Sequence, residues 1–508
     1  MSVSVQENQA KLEAFKAYVR KMKQYEEAIS LIYWDMRTGA PKKGIETRSE
    51  VVGELSTEVF RMATSEEMGS YLEALHQPEQ LEQLDEISRK MVIECKKEYD
   101  RSKKIPADKY QAYVVLTSQS ESAWEEAKHT SNWAMFQPYL EKIVAANKEF
   151  IELWGYEGNK YNTLLDMYEP GMTVEKLDEV FGALRDKAVP LLQKIQASPN
   201  QPNRAFLDQQ YEISKQKQFS LSILKQMNYD FDAGRLDETV HPFATALNPG
   251  DVRITTRYLP NDITSALFGT IHEGGHALYE QNISQDLVGT NLCTGTSMGI
   301  HESQSRFWEN VIGRSKQFWN RYYGELQSTF SGQIDDIDVD TFYKAINHIE
   351  PSLIRIEADE LTYNFHIMIR YELEKALING TLEVADLPEA WNAKYEEYLG
   401  IRPGNDGEGV LQDVHWAGGS FGYFPSYSLG NMYAAQFTNT LRQELPQFES
   451  LIESGNLEPI KEWLTEKIYQ YGKLQTPSEI VKRVTGEELN PDYLVQYLAD
   501  KYKAVYGI

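Results

Sequence analysis

The chain has 508 residues, 41% of them hydrophobic, which supplies a sizeable core for one large or two to three ordinary domains. A formal net charge of -25 at pH 7 excludes nucleic acid and anionic membrane as principal partners, because both repel such a surface, and is read as serving solubility. No apolar run approaches the roughly 18 to 20 residues that span a bilayer, and the start, Met1-Ser2-Val3-Ser4-Val5-Gln6-Glu7-Asn8, turns polar at once. Neither a membrane span nor a secretory signal is expected, and the expected location is the cytoplasm. Cys95 and Cys293 are expected to be reduced thiols, since a single bridge is an unusual strategy for so long a chain.

Leu12, Phe15, Val19, Met22 and Tyr25 recur at three- and four-residue steps, which predicts a helix with one buried stripe. Gly39, Pro41 and Gly44 interrupt that pattern, and Val51, Val52, Leu55 and Val59 resume it. Similar stripes fill most of the chain. The best strand signal is the alternating, β-branched Val252-Arg253-Ile254-Thr255-Thr256-Arg257-Tyr258, preceded by the turn-like Asn248-Pro249-Gly250. It predicts a small β-element, expected to lie at a sheet edge.

The segment His272-Glu273-Gly274-Gly275-His276 sets two histidines four residues apart, on one face of a helix with about 6 Å of axial rise between them. Two imidazoles so placed can hold one ion. Glu273 occupies the position from which a carboxylate takes a proton from metal-activated water. The bland alternative is an exposed polar helix turn. Against it, Gly274 and Gly275 cost roughly 1 kcal/mol each inside a helix, which predicts a compensating close approach by substrate or a neighbouring strand. A catalytic site needs a third ligand. Glu280 lies about 12 Å along the axis from His272, too far to share the ion, and Tyr279 and Asn282 stand where an extended pattern would carry histidine. Glu302, in Gly299-Ile300-His301-Glu302-Ser303-Gln304-Ser305-Arg306, is the leading candidate and His301 its rival, both being suitable for zinc.

Toward the carboxyl end, Thr476-Pro477-Ser478-Glu479 combines a capping box with proline at the first helical position, and Asn490-Pro491 repeats the cap-then-proline signal. No repeats, low-complexity tracts or Gly/Ser linkers divide the chain. The expected fold is mainly α: one continuous helical unit over residues 1–508 with a small β-element.

Six segments resemble those of the carboxypeptidase Taq family of metallocarboxypeptidases: His241-Pro242-Phe243, Asp251-Val252-Arg253-Ile254-Thr255, the His272 to His276 segment, His301-Glu302-Ser303-Gln304, Ile354-Arg355-Ile356-Glu357-Ala358-Asp359, and Gly409-Val410-Leu411-Gln412-Asp413-Val414-His415-Trp416. Their order and spacing fit as well, and Tyr33-Trp34-Asp35 looks familial. The resemblance implies His272, His276 and Glu302 as ligands of zinc, which cobalt can replace, and Glu273 as general base and acid. It also implies a helical fold with a deep groove, similar to neurolysin-like peptidases, and a homodimer.

An exopeptidase of this kind acts on peptides with a free C-terminal carboxylate, which an arginine reads best through paired hydrogen bonds. Arg355 is the expected reader, its alternative being an ordinary helix ion pair with Asp359. Arg253, the second candidate, joins Asp251 and His241 in the expected substrate-binding set. The developing oxyanion needs a further donor, for which Tyr427 is the first choice, with His415 and Tyr423 beside it. Trp416 and Phe243 are given no chemical role. The expected function is removal of C-terminal residues from short peptides with broad specificity. The rival readings are a zinc oligopeptidase or aminopeptidase using the same site, and a non-catalytic scaffold.

Overall fold

The computed structural model describes residues 3–508, with side chains from Glu7 onward; Met1 and Ser2, the start of the polar amino-terminal run, lie outside the described residues. Leu12, Phe15 and Val19 are buried along one face of the helix Val3–Thr38. The chain then turns through Lys42–Gly44 into the helix Ile45–Ala63, which buries Val52 and leaves Val51 exposed. Helices dominate from there to Tyr506 and share one continuous apolar cluster that reaches from Leu12 to Tyr506. The fold is mainly helical, as expected. Among the described residues no helix is long and apolar enough to cross a membrane, and Cys95 and Cys293 do not pair.

Strands β1 (Leu236–Glu238), β2 (Ala244–Asn248) and β3 (Asp251–Thr256) form a small mixed sheet in the order β1-β3-β2. β3 pairs parallel to β1, with Leu236 opposite Ile254, and antiparallel to β2, with Thr245 opposite Arg253. The expectation of an edge strand is therefore corrected: β3 is the central strand, and its backbone is committed on both sides. Val252, Ile254, Thr255 and Thr256 are buried, in keeping with an interior position. Asn248 makes the expected turn, its side-chain oxygen accepting from Gly250 N at 2.9 Å.

Beyond the sheet, the Asp262 side chain accepts from the N–H groups of Thr264 and Ser265 and so caps the helix Ile263–Gln281. This helix is buried nearly all round and packs against β3, with Thr270 Oγ1 donating to Thr256 Oγ1 at 3.1 Å. Gly274 and Gly275 answer a close approach, but by helices rather than by a strand. A Cβ on Gly274 would lie 2.9 Å from the Leu224 side chain, and one on Gly275 would lie 2.7 Å from the backbone oxygen of Gln304. The second neighbour belongs to the helix Met298–Arg306, capped by Ser297. A Cβ on Gly430, in the helix Pro425–Glu444, would lie 2.6 Å from the Glu302 side chain. Gly275 and Gly430 thus let their two helices close on Met298–Arg306, the helix that carries Glu302, and the expense of glycine within a helix is offset by that packing.

Met298–Arg306 runs straight into a seven-residue π-helical stretch, Phe307–Gly313, where sequence periodicity alone suggests an unbroken helix. Near the end of the chain Thr476 and Glu479 form the expected reciprocal capping box with Pro477 at the first helical position. The Asn490 side chain accepts from Asp492 N at 3.0 Å, at the start of the helix Asp492–Tyr506.

Candidate metal centre

His272 and His276 project from one face of the helix Ile263–Gln281 toward Glu302 on its neighbour. One ligand atom from each of the three lies within 4.8 Å of the other two. Glu302 Oε2 is 3.6 Å from His272 Nε2 and 3.5 Å from His276 Nε2. These separations are long for hydrogen bonds. They match the roughly 3.4 Å expected between two ligands that each stand about 2.1 Å from a tetrahedral ion. The other atoms of the three side chains are already engaged. His272 Nδ1 is 2.9 Å from Glu309 Oε2, His276 Nδ1 is 2.6 Å from His301 Nδ1, and Arg306 Nε donates to Glu302 Oε1 at 2.7 Å. Two imidazole nitrogens and Glu302 Oε2, which also accepts from Ser305 Oγ at 3.1 Å, stand close together, a donor set that fits a divalent metal. His301 stands behind His276 rather than beside it, so of the two rival third ligands only Glu302 belongs to the cluster.

The surrounding charges suit this arrangement. Arg306 and His272 outweigh burial and hold the Glu302 carboxyl well below its ordinary range. Burial pulls His272 down but is outweighed by Glu302 and Glu309, so its pKa is raised, whereas burial drives His276 down to about 3. Burial also pushes the Glu273 carboxyl up to about 7.

A second cluster adjoins the first. Arg306 lies over the Tyr363 ring, 4.5 Å from its centroid, and Arg355 lies 5.8 Å from the same centroid and donates to the Tyr363 hydroxyl at 2.9 Å. A single tyrosine therefore separates the partner of Glu302 from Arg355. Residues Arg355–Glu357 form a short 3-10 turn rather than a longer helix, and the alternative of an ion pair with Asp359 is overturned. Asp359 instead accepts from the backbone N–H groups of Glu350, Leu361 and Thr362. Arg355 pairs with Asp413, Nη2 to Oδ1 at 2.8 Å, and the same carboxylate holds the fully buried Arg370 through Oδ2 at 2.6 Å. Tyr427 lies beside this group, its ring centroid 4.9 Å from the Arg355 guanidinium carbon and its hydroxyl 3.2 Å from His415 Nε2. Tyr423 packs edge-on against Tyr427 with centroids 5.3 Å apart.

Arg253 and Asp251 sit elsewhere on the sheet, where they pair with each other at 2.7 Å and Arg253 lies over the Trp34 ring. His241 is exposed in the connection between β1 and β2. Among the described residues no hydrogen bond or ion pair joins these three to the metal-ligand cluster. Phe243 packs edge-on against Trp34 with centroids 5.5 Å apart.

The profile of the carboxypeptidase Taq (M32) metallopeptidase family matches residues 14–502. The chain belongs to that family. It is an M32 metallocarboxypeptidase, a metal-dependent peptidase acting at the C-terminal end. Carboxypeptidase 1 of Bacillus subtilis is 53% identical over 488 residues, covering 96% of this chain and 97% of the relative. Thermostable carboxypeptidase 1 of Thermus thermophilus is 41% identical over 487 residues, covering 94% and 95%. The crystal structure of the M32 carboxypeptidase from Deinococcus radiodurans R1 superposes with a TM-score of 0.95 at 35% identity, covering 98% of this chain and all of that one.

Several residues that shape this M32 site were assigned no role from sequence. Glu309 supports His272, Arg306 holds Glu302, and Asp413 binds two arginines. The i to i+4 spacing of Glu302 and Arg306 is a readable signal; Glu309, within the π-helical stretch and 37 residues from His272, carries none. Glu374, in the helix Tyr363–Asn379, accepts from Trp416 Nε1 at 2.6 Å and Gly422 N at 2.8 Å, and so ties down the segment that carries His415, Tyr423 and Tyr427. Burial raises its carboxyl to about 7. A carboxyl whose pKa is higher folded than unfolded contributes stability that is fully present below about pH 4.3 and is lost as pH rises through its folded value. Glu374→Gln cannot titrate, so its melting temperature should decline less between about pH 5 and 8 than that of the wild type. Equal slopes in a thermal-unfolding series would show that Glu374 does not titrate there.

Proposed function

We propose that the protein is a zinc carboxypeptidase that removes the C-terminal residue from short peptides of broad sequence. The observation that carries this reading is the excess positive charge beside the metal-ligand cluster. Arg355 and Arg370 share the single carboxylate Asp413, and Arg355 stands one tyrosine ring from Arg306. A peptide whose terminal carboxylate neutralised that charge would bring its last amide bond toward the metal-ligand cluster.

Two imidazoles and one carboxylate suit zinc better than magnesium or calcium, which prefer oxygen-rich sites, and cobalt should substitute. His272, His276 and Glu302 would hold the zinc, which when bound would supply a Lewis acid for activating water and polarising the scissile carbonyl. Glu273 takes the proton of the attacking water and returns it to the leaving nitrogen, a task suited to a carboxyl whose pKa lies near neutrality. Tyr427 donates its hydroxyl hydrogen to the developing oxyanion. Burial keeps that phenol well above its ordinary pKa and hence protonated, and holds His415 down at about 4 and hence neutral. Tyr423 supports the Tyr427 ring by edge contact. Arg253 and Asp251 on β3 and His241 in the β1–β2 connection are assigned to more distant parts of the substrate.

Stripping the metal with a chelator should abolish hydrolysis of a short free-acid peptide, and one equivalent of Zn2+ should restore it; full activity in metal-stripped protein would overturn the reading. Tyr427→Phe should lower kcat by about ten- to a hundred-fold, at or below the lower end of the 10²–10³ typical of removing one oxyanion-hole donor, because a bound metal would carry part of the charge. Unchanged turnover would remove Tyr427 from the mechanism. The one continuous core supports a single catalytic domain over residues 1–508. A cytoplasmic location and a homodimer complete the proposal, and a solution mass equal to one chain would refute the dimer.

A further inference from the structure

Glu280 lies four residues beyond His276 on the same helix, too far along the axis to share an ion with His272, and His301 stands on the neighbouring helix. The structure gives both a connected place. His301 Nδ1 is 2.6 Å from His276 Nδ1, and His301 Nε2 is 2.8 Å from Glu280 Oε1. The same Glu280 oxygen accepts from Gly295 N at 2.9 Å and from Thr294 Oγ1 at 3.4 Å. The His301 ring has little freedom. The Tyr279 ring packs against it with centroids 5.1 Å apart, and a Cβ on Gly295 would come within 2.6 Å of its Cδ2.

Donor and acceptor accounting allows one consistent assignment. Two facing ring nitrogens bond only if one carries hydrogen and the other a lone pair. For His276 to offer the Nε2 lone pair to a metal, its neutral ring must carry hydrogen on Nδ1. His301 Nδ1 then accepts, which places the His301 hydrogen on Nε2, where it points at Glu280. Hydrogen bonds thus run from His276 to His301 and from His301 to Glu280. His272 reaches its carboxylate, Glu309, directly, whereas His276 reaches Glu280 through an intervening imidazole.

We propose that His301 and Glu280 are positioning residues that fix the tautomer and orientation of His276 for metal binding. The inference rests on the reading that His272, His276 and Glu302 hold the metal. His301 is not itself a ligand, because both of its nitrogens are engaged elsewhere. Groups that support a metal-bound histidine in this way typically change affinity 10- to 100-fold when removed.

The test is the dissociation constant for Zn2+, measured by competition with a chromophoric chelator, together with the visible spectrum of the Co2+-loaded protein. His301→Phe keeps a ring but offers no acceptor to His276, and is expected to weaken Zn2+ binding about 10- to 100-fold and to alter the Co2+ spectrum. His301→Gln restores an acceptor and should recover part of the loss. Glu280→Gln keeps the hydrogen bond without the charge, should weaken binding by a smaller factor, and provides the measurement if His301→Phe does not fold. Nitrogen-15 NMR of the metal-free wild type should find the His276 hydrogen on Nδ1. Wild-type Zn2+ affinity in both His301→Phe and Glu280→Gln, or hydrogen on Nε2 of His276, would overturn the proposal. A wild type that bound no Zn2+ would instead defeat the reading of the triad as the metal site.

Discussion

Glu273→Gln is expected to lower kcat/KM by about 10²–10⁴-fold, the range typical of a positioned general acid-base group, while zinc content stays at the wild-type level. The substitution keeps the shape of the side chain while removing its charge and its capacity to accept a proton. Glu273 is the residue next to His272, and among the described residues its carboxyl makes no hydrogen bond that would divert it to a structural task. Burial raises its pKa to about 7, where it can both take and return a proton near neutral pH. Parallel measurement of steady-state kinetics and bound metal separates the two possible faults. Near-wild-type turnover at full zinc occupancy would take the proton-transfer role away from Glu273.

Arg355→Met should lower kcat/KM for a free-acid peptide by about 10²-fold or more and should collapse the preference over the amidated peptide. A guanidinium carries five N–H groups. Nε and Nη2 donate to Asp413 Oδ1 and Nη1 donates to the Tyr363 hydroxyl. One N–H on each Nη remains free, a pair that fits the two oxygens of a carboxylate. Each hydrogen bond to a charged group is worth about 1.5–3 kcal/mol, so losing two gives an effect of this size even when they are far from additive. Methionine leaves Asp413 paired with Arg370, so that carboxylate is not stranded without a partner. If the ratio of free-acid to amide turnover is unchanged, recognition of the terminus lies with another group.

Much of this site was legible in the sequence because its parts are local. The four-residue spacing of His272 and His276 places two imidazoles on one helical face, and alternation marks β3. The choice between Glu302 and His301 was not legible from spacing. Both stand on the next helix, and which of the two adjacent side chains faces His272 and His276 is set by tertiary packing, in which Gly430 lies against Glu302. The place of β3 within its sheet was hidden for a related reason. β1 is only three residues long and pairs parallel from outside the hairpin, so its sequence carries no strand pattern. The partner of Arg355 was likewise obscured. Asp359 is near in sequence, but the 3-10 turn breaks the helical register that would pair them, and Asp413 arrives from 58 residues away.

The most direct test is mass spectrometry of one short peptide in free-acid and carboxyl-amidated form, incubated with zinc-loaded protein, with metal-stripped and Glu273→Gln protein as controls. Stepwise loss from the carboxyl end of the free acid alone, absent in both controls, is the expected result. Equal cleavage of the amide, internal cuts or trimming from the amino end would contradict recognition of the C-terminal carboxylate by the Arg355 cluster.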